Sequence, residues 1–282
     1  MIKSNLNDYP VNMMCRLLAV STSGYYSWLT RKPSARAQAN ELLTEKITAI
    51  FQDEKGRAGS IRITRRLQAE GEQAGRHRVA KLMRLAGMRA KAARKFKATT
   101  NSNHNLPVAD NLLQQDFTAQ KPNEKWVSDI TYIWTGEGWL YLSTVMDLYS
   151  RFLIGWSLSD RMTATLVSDA LQMAMWRRGM PKGTIVHSDR GSQYCSHQYQ
   201  ALLRKHNLIC SMSKRGDCFD NAAMESWNQS FKVESIHNEK FTTREDAKKQ
   251  IFEYIEVYYN RKRLHSTLGY LSPEAFEATK VA

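Results

Sequence analysis

Three acidic residues lie in segments whose local patterns give them potential for chemistry. Asp129 lies within the alternating run KWVSDITYIW, Asp189 ends the apolar run in TIVHSD, and Glu225 follows two helix-capping candidates, Asp220 and Asn221. Carboxylate oxygens are preferred ligands of Mg²⁺, and two such ions about 3.5 to 4 Å apart can hold a phosphodiester during in-line displacement. The three acids therefore predict a metal-dependent site that acts on phosphodiesters.

Other interpretations of these residues are structural. Asp129 could be a paired strand residue, Asp189 a loop cap and Glu225 a solvated helix residue. A hydrolase triad of His187, Ser188 and Asp189 is excluded, because neighbouring strand residues point to opposite faces. His187 could lie near a metal or form hydrogen bonds within the core.

The elements around the acids form an alternating order of strands and helices. Residues 125–159 predict a three-stranded meander with a hairpin at TGEG, followed by a helix at 163–178, a strand at TIVHS, a helix at 196–206 and a strand at LICSMS. Long helices are predicted at 220–236 and 243–260. This order predicts an α/β fold with a mixed five-stranded sheet flanked by helices. Lys232, seven residues after Glu225, would lie on the same helix face.

The first part of the chain is basic and helical. The chain contains 41 Lys and Arg against 27 Asp and Glu, and the excess lies within the first 110 residues. Residues 1–40 predict a helix-turn-helix-like segment, with Met14, Leu17 and Leu18 on one helix face and Tyr25, Trp28 and Leu29 on another. Residues 41–97 predict a basic helix-turn-helix domain, 98–115 a linker and 116–282 the catalytic domain.

In the basic domain, apolar residues repeat at helical spacing beside a cationic face. The buried stripes are expected to contain Ile63, Leu67, Val79, Leu82, Met83 and Ala86, and Gly71 and Gly87 are expected to end the two helices. Basic residues that neutralise phosphates favour DNA binding through release of counterions. The helix from Arg76 to Ala86 could enter a DNA groove or only clamp phosphates. The candidate DNA-binding residues are Arg62, Arg65, Arg66, Arg76, Arg78, Lys81 and Arg84.

Composition excludes several classes of protein. No apolar run approaches the roughly 18 residues that a membrane helix needs, and the four cysteines form no C-x-x-C pair. Reduced thiols in a cytoplasmic, nucleoid-associated protein are expected, with no zinc site. Near the C-terminus, Tyr258, Tyr259, Asn260, Arg263 and His265 could either bind DNA or pack against the core.

Several segments together resemble a known family. WVSDITYI, VHSDRGSQY and SKRGDCFDNAAMESWNQSFKVE, with 59 residues between Asp129 and Asp189 and 35 between Asp189 and Glu225, resemble the DDE signature of retroviral-type integrase cores. The segments LLAVSTSGYYSWL and YYNRKRLHSTLGYLSPEAFE add a narrower resemblance to the OrfB-type transposases of the insertion-sequence-three family. This resemblance covers nearly the whole chain.

The resemblance implies an RNase H-like catalytic domain in which Asp129, Asp189 and Glu225 bind two Mg²⁺ or Mn²⁺ ions, while Lys232 contacts DNA. It implies metal-dependent cleavage at insertion-sequence ends, then strand transfer by 3′-hydroxyl attack. The expected partners are double-stranded DNA of the element ends and target, further copies of the chain on that DNA, and an upstream OrfA product or OrfA–OrfB fusion. Two alternatives stay open: a nuclease of the same fold without joining activity, and a non-catalytic DNA-binding regulator of transposition.

Overall fold

Two units, Met1–Arg89 and Ala90–Ala282, make up the protein in a computed structural model. The structure describes residues 1–91, 108–214, 218–237 and 239–281. Within these ranges, no helix has both the length and the apolar character that crossing a bilayer demands.

The first unit begins with two short helices, α1 (Val11–Leu17) and α2 (Thr22–Thr30). The break between them lies at residues 18–21, so the last three residues of the predicted break VSTSG already belong to α2. The Ser21 side chain caps α2 by accepting a hydrogen bond from the Gly24 backbone N–H at 3.0 Å. Their shared core is small and comprises Ile2, Met14, Cys15 and Tyr25. Leu17, Leu18, Trp28 and Leu29 are exposed despite their place on the predicted helix faces, because each of these short helices buries little more than one turn.

A three-helix cluster follows, formed by α3 (Ala35–Asp53), α4 (Ser60–Ala69) and α5 (Arg76–Leu85). The 19-residue helix α3 lies where no helix is predicted, and the expected boundary between residues 40 and 41 falls inside it. Its residues Leu43, Ile47 and Ile50 recur at helical spacing and pack in the same core as α4 and α5. The helix-turn-helix therefore rests on a third helix.

The ends of α4 and α5 follow the glycine prediction. Gly71 and Gly87 adopt φ angles of 86° and 70°, a left-handed conformation that glycine reaches without steric cost. The prediction that Ala86 belongs to the buried stripe is wrong. The helix ends at Leu85, so Ala86 leaves the helical register and is exposed.

The second unit is built on one mixed sheet of five strands, which are β1 (Lys125–Thr135), β2 (Gly138–Asp147), β3 (Leu153–Ser159), β4 (Ile185–Ser188) and β5 (Ile209–Met212). Their order is β3-β2-β1-β4-β5. The first three strands pair antiparallel as a meander, whereas β4 pairs parallel to both β1 and β5. The predicted fold class, an RNase H-like mixed sheet preceded by a helix-turn-helix region, is confirmed.

Helices cover both faces of this sheet, and they are α6 (Ala164–Arg177), α7 (His197–Lys205), α8 (Ala222–Phe231) and α9 (Arg244–Phe252). Their bounds are close to those predicted, whereas the C-terminal helix α10 (Pro273–Val281) was not predicted. Two π-helical segments, Lys232–Ile236 and Glu253–Tyr259, extend α8 and α9. One apolar core lies between the sheet and α8 and α9, and a second lies between the sheet and α6 and α7.

The segment predicted as a linker is partly structured. Residues 98–107 and the predicted domain end at 92–97 lie outside the described residues. In the remainder, Leu113 is buried in the core, the Leu112 N–H donates to Ser211 Oγ at 2.9 Å, and the Met212 N–H donates to the Asp110 carbonyl at 3.2 Å. Residues 108–115 are therefore packed against β5 and do not form a free linker.

Candidate active site

Asp129 lies in the central strand, where it shares a sheet face with apolar neighbours. It pairs with Thr144 of β2, and its face of β1 also carries the buried Val127 and Ile133. The carboxylate accepts two hydrogen bonds, from the Ile130 N–H to Oδ1 at 2.9 Å and from Asn228 Nδ2 to Oδ2 at 2.7 Å. The strand and the helix α8 thus fix both carboxylate oxygens.

Asp189 follows the last residue of β4. Because Val127 pairs with His187 in the parallel ladder, two further residues in each chain bring Asp189 level with Asp129. The Gly191 N–H donates to Asp189 Oδ1 at 2.9 Å and fixes the start of the following loop. Two carboxylates from adjacent strands therefore meet at one end of β4.

Glu225 lies in the first turn of α8. The start of this helix is tied to β1 because Asn221 Nδ2 donates to the Ser128 carbonyl at 3.3 Å. Three residues after Glu225, Asn228 reaches Asp129, and residues three apart share a helix face. Glu225 is therefore on the face of α8 that points to the acidic pair, although it is exposed.

The predicted cap of α8 is wrong in detail. Asn221 occupies the cap position without a side-chain bond to the helix. Asp220 is buried, and its Oδ2 accepts hydrogen bonds from Asn111 Nδ2 at 2.8 Å and from the Lys214 N–H at 2.6 Å. Both residues brace the entry to α8 against neighbouring segments.

The pKa values of Asp129 and Glu225 are both raised, and burial of the carboxyl is the largest cause for each. Burial of the carboxyl, followed by the charge of Asp189, raises the pKa of Asp129 to about 7, with a smaller contribution from Glu225, while the two hydrogen bonds oppose the rise. Partial burial of its carboxyl raises the pKa of Glu225 although the residue as a whole is exposed. A divalent cation would relieve this repulsion.

The acids are not gathered into a closed cage. Across the part of the chain that the structure describes, no three His, Cys, Asp or Glu side chains are grouped tightly enough to hold an ion by themselves. Asp129 and Asp189 form an adjacent pair, and Glu225 approaches from the exposed side. The donor set fits Mg²⁺, which is commonly held by one or two carboxylates with water and substrate oxygens as its other ligands.

Lys232 lies at the edge of the same site. It begins the π-helical segment after α8, and its Nζ is 4.7 Å from the centroid of the Tyr132 ring. Burial lowers the pKa of Lys232, while Tyr132 and the charge of Asp129 oppose that effect. A cation thus lies within electrostatic reach of the acidic pair.

Two functional candidates, Asn228 and Tyr194, are absent from the sequence prediction. The buried Tyr194 hydroxyl lies 3.0 Å from Ser128 Oγ on the strand that carries Asp129, and burial raises the pKa of Tyr194, as do the nearby aspartates. The i, i+3 spacing of Glu225 and Asn228 was a usable signal for Asn228. Tyr194 gives no such signal, because it reaches the site through the tertiary fold.

Other polar candidates are core residues. His187 is buried, its ring nitrogens lie 2.9 Å from Ser211 Oγ and 3.2 Å from Ser213 Oγ, and burial lowers its pKa to about 4. Among the C-terminal candidates, Asn260 bonds to the Leu153 backbone and Arg263 pairs with the buried Glu234. Tyr258 and Tyr259 are buried as well. Of the two alternatives for these four residues, DNA binding or packing against the core, the structure agrees with packing.

The candidate DNA-binding residues of the first unit separate into two groups. Arg65, Arg76, Lys81 and Arg84 are exposed. Arg66 pairs with Glu54 at 3.1 Å and Asp53 at 3.5 Å, and Arg78 Nε donates to Asn40 Oδ1 at 2.9 Å. Arg62 is partly buried, with Nη1 3.4 Å from the Arg57 carbonyl. The first group forms an outward cationic surface, whereas Arg66 and Arg78 also hold the helices together.

Comparison with known families assigns both units. A family model described as an HTH-like domain matches residues 37–96, and two models described as an integrase core domain match residues 119–218 and 206–273. The three acids, Asn228 and Lys232 all lie within the integrase core matches.

Similar proteins cover the chain from end to end. The transposase InsF for insertion sequence IS3A of Escherichia coli K12 is 50% identical over 283 aligned residues, which cover 100% of this chain and 98% of the relative. A 31 kDa protein of insertion element IS600 from Shigella sonnei is 45% identical and covers 93% of this chain and 97% of its own length. Among solved structures, the HTLV-2 integrase catalytic core in complex with magnesium covers 56% of this chain and 99% of its own, with 15% identity and a TM-score of 0.42.

Proposed function

The chain belongs to the IS3 family of DNA transposases, and we propose that Asp129, Asp189 and Glu225 are its catalytic residues. One observation carries this assignment: Asp129 lies level with Asp189 on adjacent strands, and its pKa is raised by burial, then by the charge of Asp189 and, less, by that of Glu225. A regulator without catalytic activity has no need to hold repelling carboxylates together.

The same residues would hold two Mg²⁺ or Mn²⁺ ions. When bound, the ions would supply Lewis-acid stabilisation of the charge that develops on the phosphate. The protein contributes the positions of the ligands: Asn228 orients Asp129 Oδ2 and the Gly191 N–H orients Asp189 Oδ1. Partners of this kind fix the ligand geometry before the substrate arrives.

The reaction consists of two phosphoryl transfers at this site. In the first, water attacks a phosphodiester at the element end, and the bond to the 3′ oxygen breaks to leave a 3′-hydroxyl. In the second, that hydroxyl attacks a phosphodiester of the target. Its oxygen forms a new bond to the phosphorus, and the 3′ oxygen of the target strand leaves, so the element end is joined to a 5′ phosphate of the target. Lys232 would bind a phosphate beside the acids and fix the end of the element.

The first unit would bind the DNA that carries these ends. The exposed residues Arg65, Arg76, Lys81 and Arg84 are the strongest candidates for phosphate contacts, with Arg62 at the margin of the surface. Arg66 and Arg78 would contribute by holding α4 against α3 and α5 against α3. Joining two element ends to a target also favours several copies of the chain on the DNA, together with an upstream OrfA product or its fusion.

Cleavage and joining of labelled DNA test the proposal. The DNA carries the inverted repeats that flank the gene, and the proteins are the chain, its fusion to the upstream frame, and Glu225→Gln of each. We expect Mg²⁺-dependent joined products that disappear in Glu225→Gln. Cleaved but unjoined products would favour the nuclease, and selective binding without products from either protein would favour the regulator.

A further inference from the structure

Four aromatic side chains share one face of the β1–β2 hairpin. Tyr132 and Trp134 of β1 lie directly opposite Tyr141 and Trp139 of β2. The Trp139 ring centroid is 5.1 Å from that of Tyr132 and 4.8 Å from that of Trp134. Trp134, Trp139 and Tyr132 are 60%, 42% and 36% exposed. These four residues are referred to as the aromatic quartet.

The hairpin does not need this face for its core. Its opposite face already buries Ile133 and Leu140, which pair across the strands in the core beside α8 and α9. Aromatic pairs across strands stabilise a hairpin, but such pairs are equally effective when covered. Large aromatic rings gathered on an exposed surface are more typical of a binding site.

The quartet and the Asp129 side chain lie on opposite faces of the sheet, because Tyr132 follows Asp129 by three residues and successive side chains of a strand alternate. About 10 Å of strand separates the two residues. The Lys232 ammonium lies over the Tyr132 ring and within the field of Asp129, so it joins the two surfaces. The ladder with β4 covers Lys125–Val127 of β1, so a DNA strand bound at Asp129 would reach the quartet around the following edge of β1, beside Lys232.

The hairpin is held rigidly. The Gly136 N–H donates to the Phe241 carbonyl at 2.9 Å, and a Cβ at this glycine would lie 2.5 Å from the Thr242 carbonyl oxygen, so only glycine allows this approach. Arg244 Nε donates to the Trp139 carbonyl at 3.2 Å, and the Arg244 N–H donates to Glu137 Oε2 at 2.8 Å. The rings are therefore presented with little freedom, which lowers the entropic cost of binding.

We propose that the aromatic quartet binds unpaired bases of the DNA strand held at the active site. This inference rests on the proposed function of Asp129, Asp189 and Glu225. Unpaired bases expose flat faces that stack on aromatic side chains without regard to sequence, whereas the bases inside a duplex are already stacked. Lys232 at one corner and Arg244 at another favour a polyanion, and Glu137 is the acid at the hairpin tip that faces Arg244.

Binding of two matched DNA probes to the full chain tests the proposal. One probe is a blunt 20-base-pair duplex, and the other is the same duplex with three unpaired thymidines at one 3′ end. EDTA prevents cleavage, and fluorescence anisotropy reports Kd. We expect the wild type to bind the tailed probe more tightly. Replacement of both tryptophans, Trp134→Ala with Trp139→Ala, would weaken tailed-probe binding about 5- to 150-fold for each base that loses a ring, with blunt-duplex binding unchanged.

Two variants serve as controls. Trp176→Ala removes an equally exposed tryptophan from α6, 67% exposed, and should leave both affinities unchanged. Replacement of Trp134 and Trp139 by phenylalanine keeps the stacking faces and should retain the preference for the tailed probe.

Equal losses for both probes, or wild-type binding of the tailed probe by the alanine variant, would overturn the inference. So would a smaller assembly of the alanine variant than of the wild type in sedimentation with DNA binding unaltered, which would make the quartet a contact for a second copy. A wild type that cleaves DNA in Mg²⁺ but binds both probes equally would refute only the quartet, whereas a wild type that binds neither probe would count against the proposed function.

Discussion

Asp129→Asn should stabilise the metal-free second unit above neutral pH. The raised pKa of Asp129, about 7 against an ordinary 3.8, means that the charged carboxylate is disfavoured by the fold. The free energy of unfolding is therefore highest, as far as this carboxyl group is concerned, below pH 4, where the group is protonated in both states. This contribution is lost as the pH rises through the folded-state pKa of about 7. At about 1.4 kcal/mol per pKa unit, the loss approaches about 4 kcal/mol at pH 8. Asparagine keeps the shape of the side chain and removes the charge.

Thermal unfolding in EDTA between pH 5 and pH 8 measures this effect. For a unit of this size, about 4 kcal/mol corresponds to an upper limit of roughly 8 to 16 °C in Tm, and the gain of Asp129→Asn should grow with pH up to about 7. The matched control is Asp160→Asn, an exposed aspartate at the end of β3. Saturating Mg²⁺ should reverse the order, because only the wild type keeps the ligand. An equal Tm difference at pH 5 and pH 8, or a less stable variant at pH 8, would refute this account of the acids.

Three further predictions concern the groups that support the site and the DNA surface. Asn228→Ala should weaken Mg²⁺ binding about 10- to 100-fold in calorimetry, because the Asp129 carboxylate loses its orienting hydrogen bond. The control, Gln229→Ala at an exposed position of the same helix, should leave the affinity unchanged. Unchanged Mg²⁺ binding in Asn228→Ala would show that Asn228 does not support the site. Arg263→Ala should lower the free energy of unfolding of the second unit by about 3 to 5 kcal/mol, measured by urea denaturation, because it leaves the Glu234 carboxylate buried without its cation. A loss below about 1 kcal/mol would contradict a stabilising role of that ion pair. Replacement of Arg76, Lys81 and Arg84 of α5 by alanine should reduce the slope of the logarithm of the duplex-binding constant against the logarithm of salt concentration by about 2.7. An unchanged slope would mean that DNA does not contact these three residues.

The alternation of apolar and polar residues predicted the strands and helices of the second unit that bury one face and expose the other. The alternation in WVSDITYI placed Asp129 beside Val127 and Ile133, and the apolar run before Asp189 gave β4. The parallel ladder then brought the two acids level, as the order of elements implied. For these residues, the spacing of apolar side chains along the sequence was enough to predict their position in the sheet.

The misses have a different physical cause. Helix α3 carries signals in the sequence, with Ser34 as its cap and Leu43, Ile47 and Ile50 at helical spacing, but these signals lie on either side of the predicted domain boundary at residue 40. Half of residues 108–115 are apolar, and Leu113 is buried in the core, while hydrogen bonds at Asp110 and Leu112 attach the segment to β5. The backbone groups of this segment that make these bonds are carried by every residue, so composition did not predict the attachment.

The position of Glu225 relative to the acidic pair depends on how α8 is held. Asn221 and Asn228 tie the beginning and the middle of α8 to β1, at Ser128 and Asp129. Beyond its end, Glu234 accepts hydrogen bonds from Arg263 and from the Tyr254 hydroxyl, and Arg263 also donates to Ser230. The C-terminal segment thus fixes the far end of the helix that carries Glu225. Because a catalytic group displaced by about 1 Å can lose two orders of magnitude in rate, these buried contacts become part of the catalytic geometry if Glu225 has the proposed role.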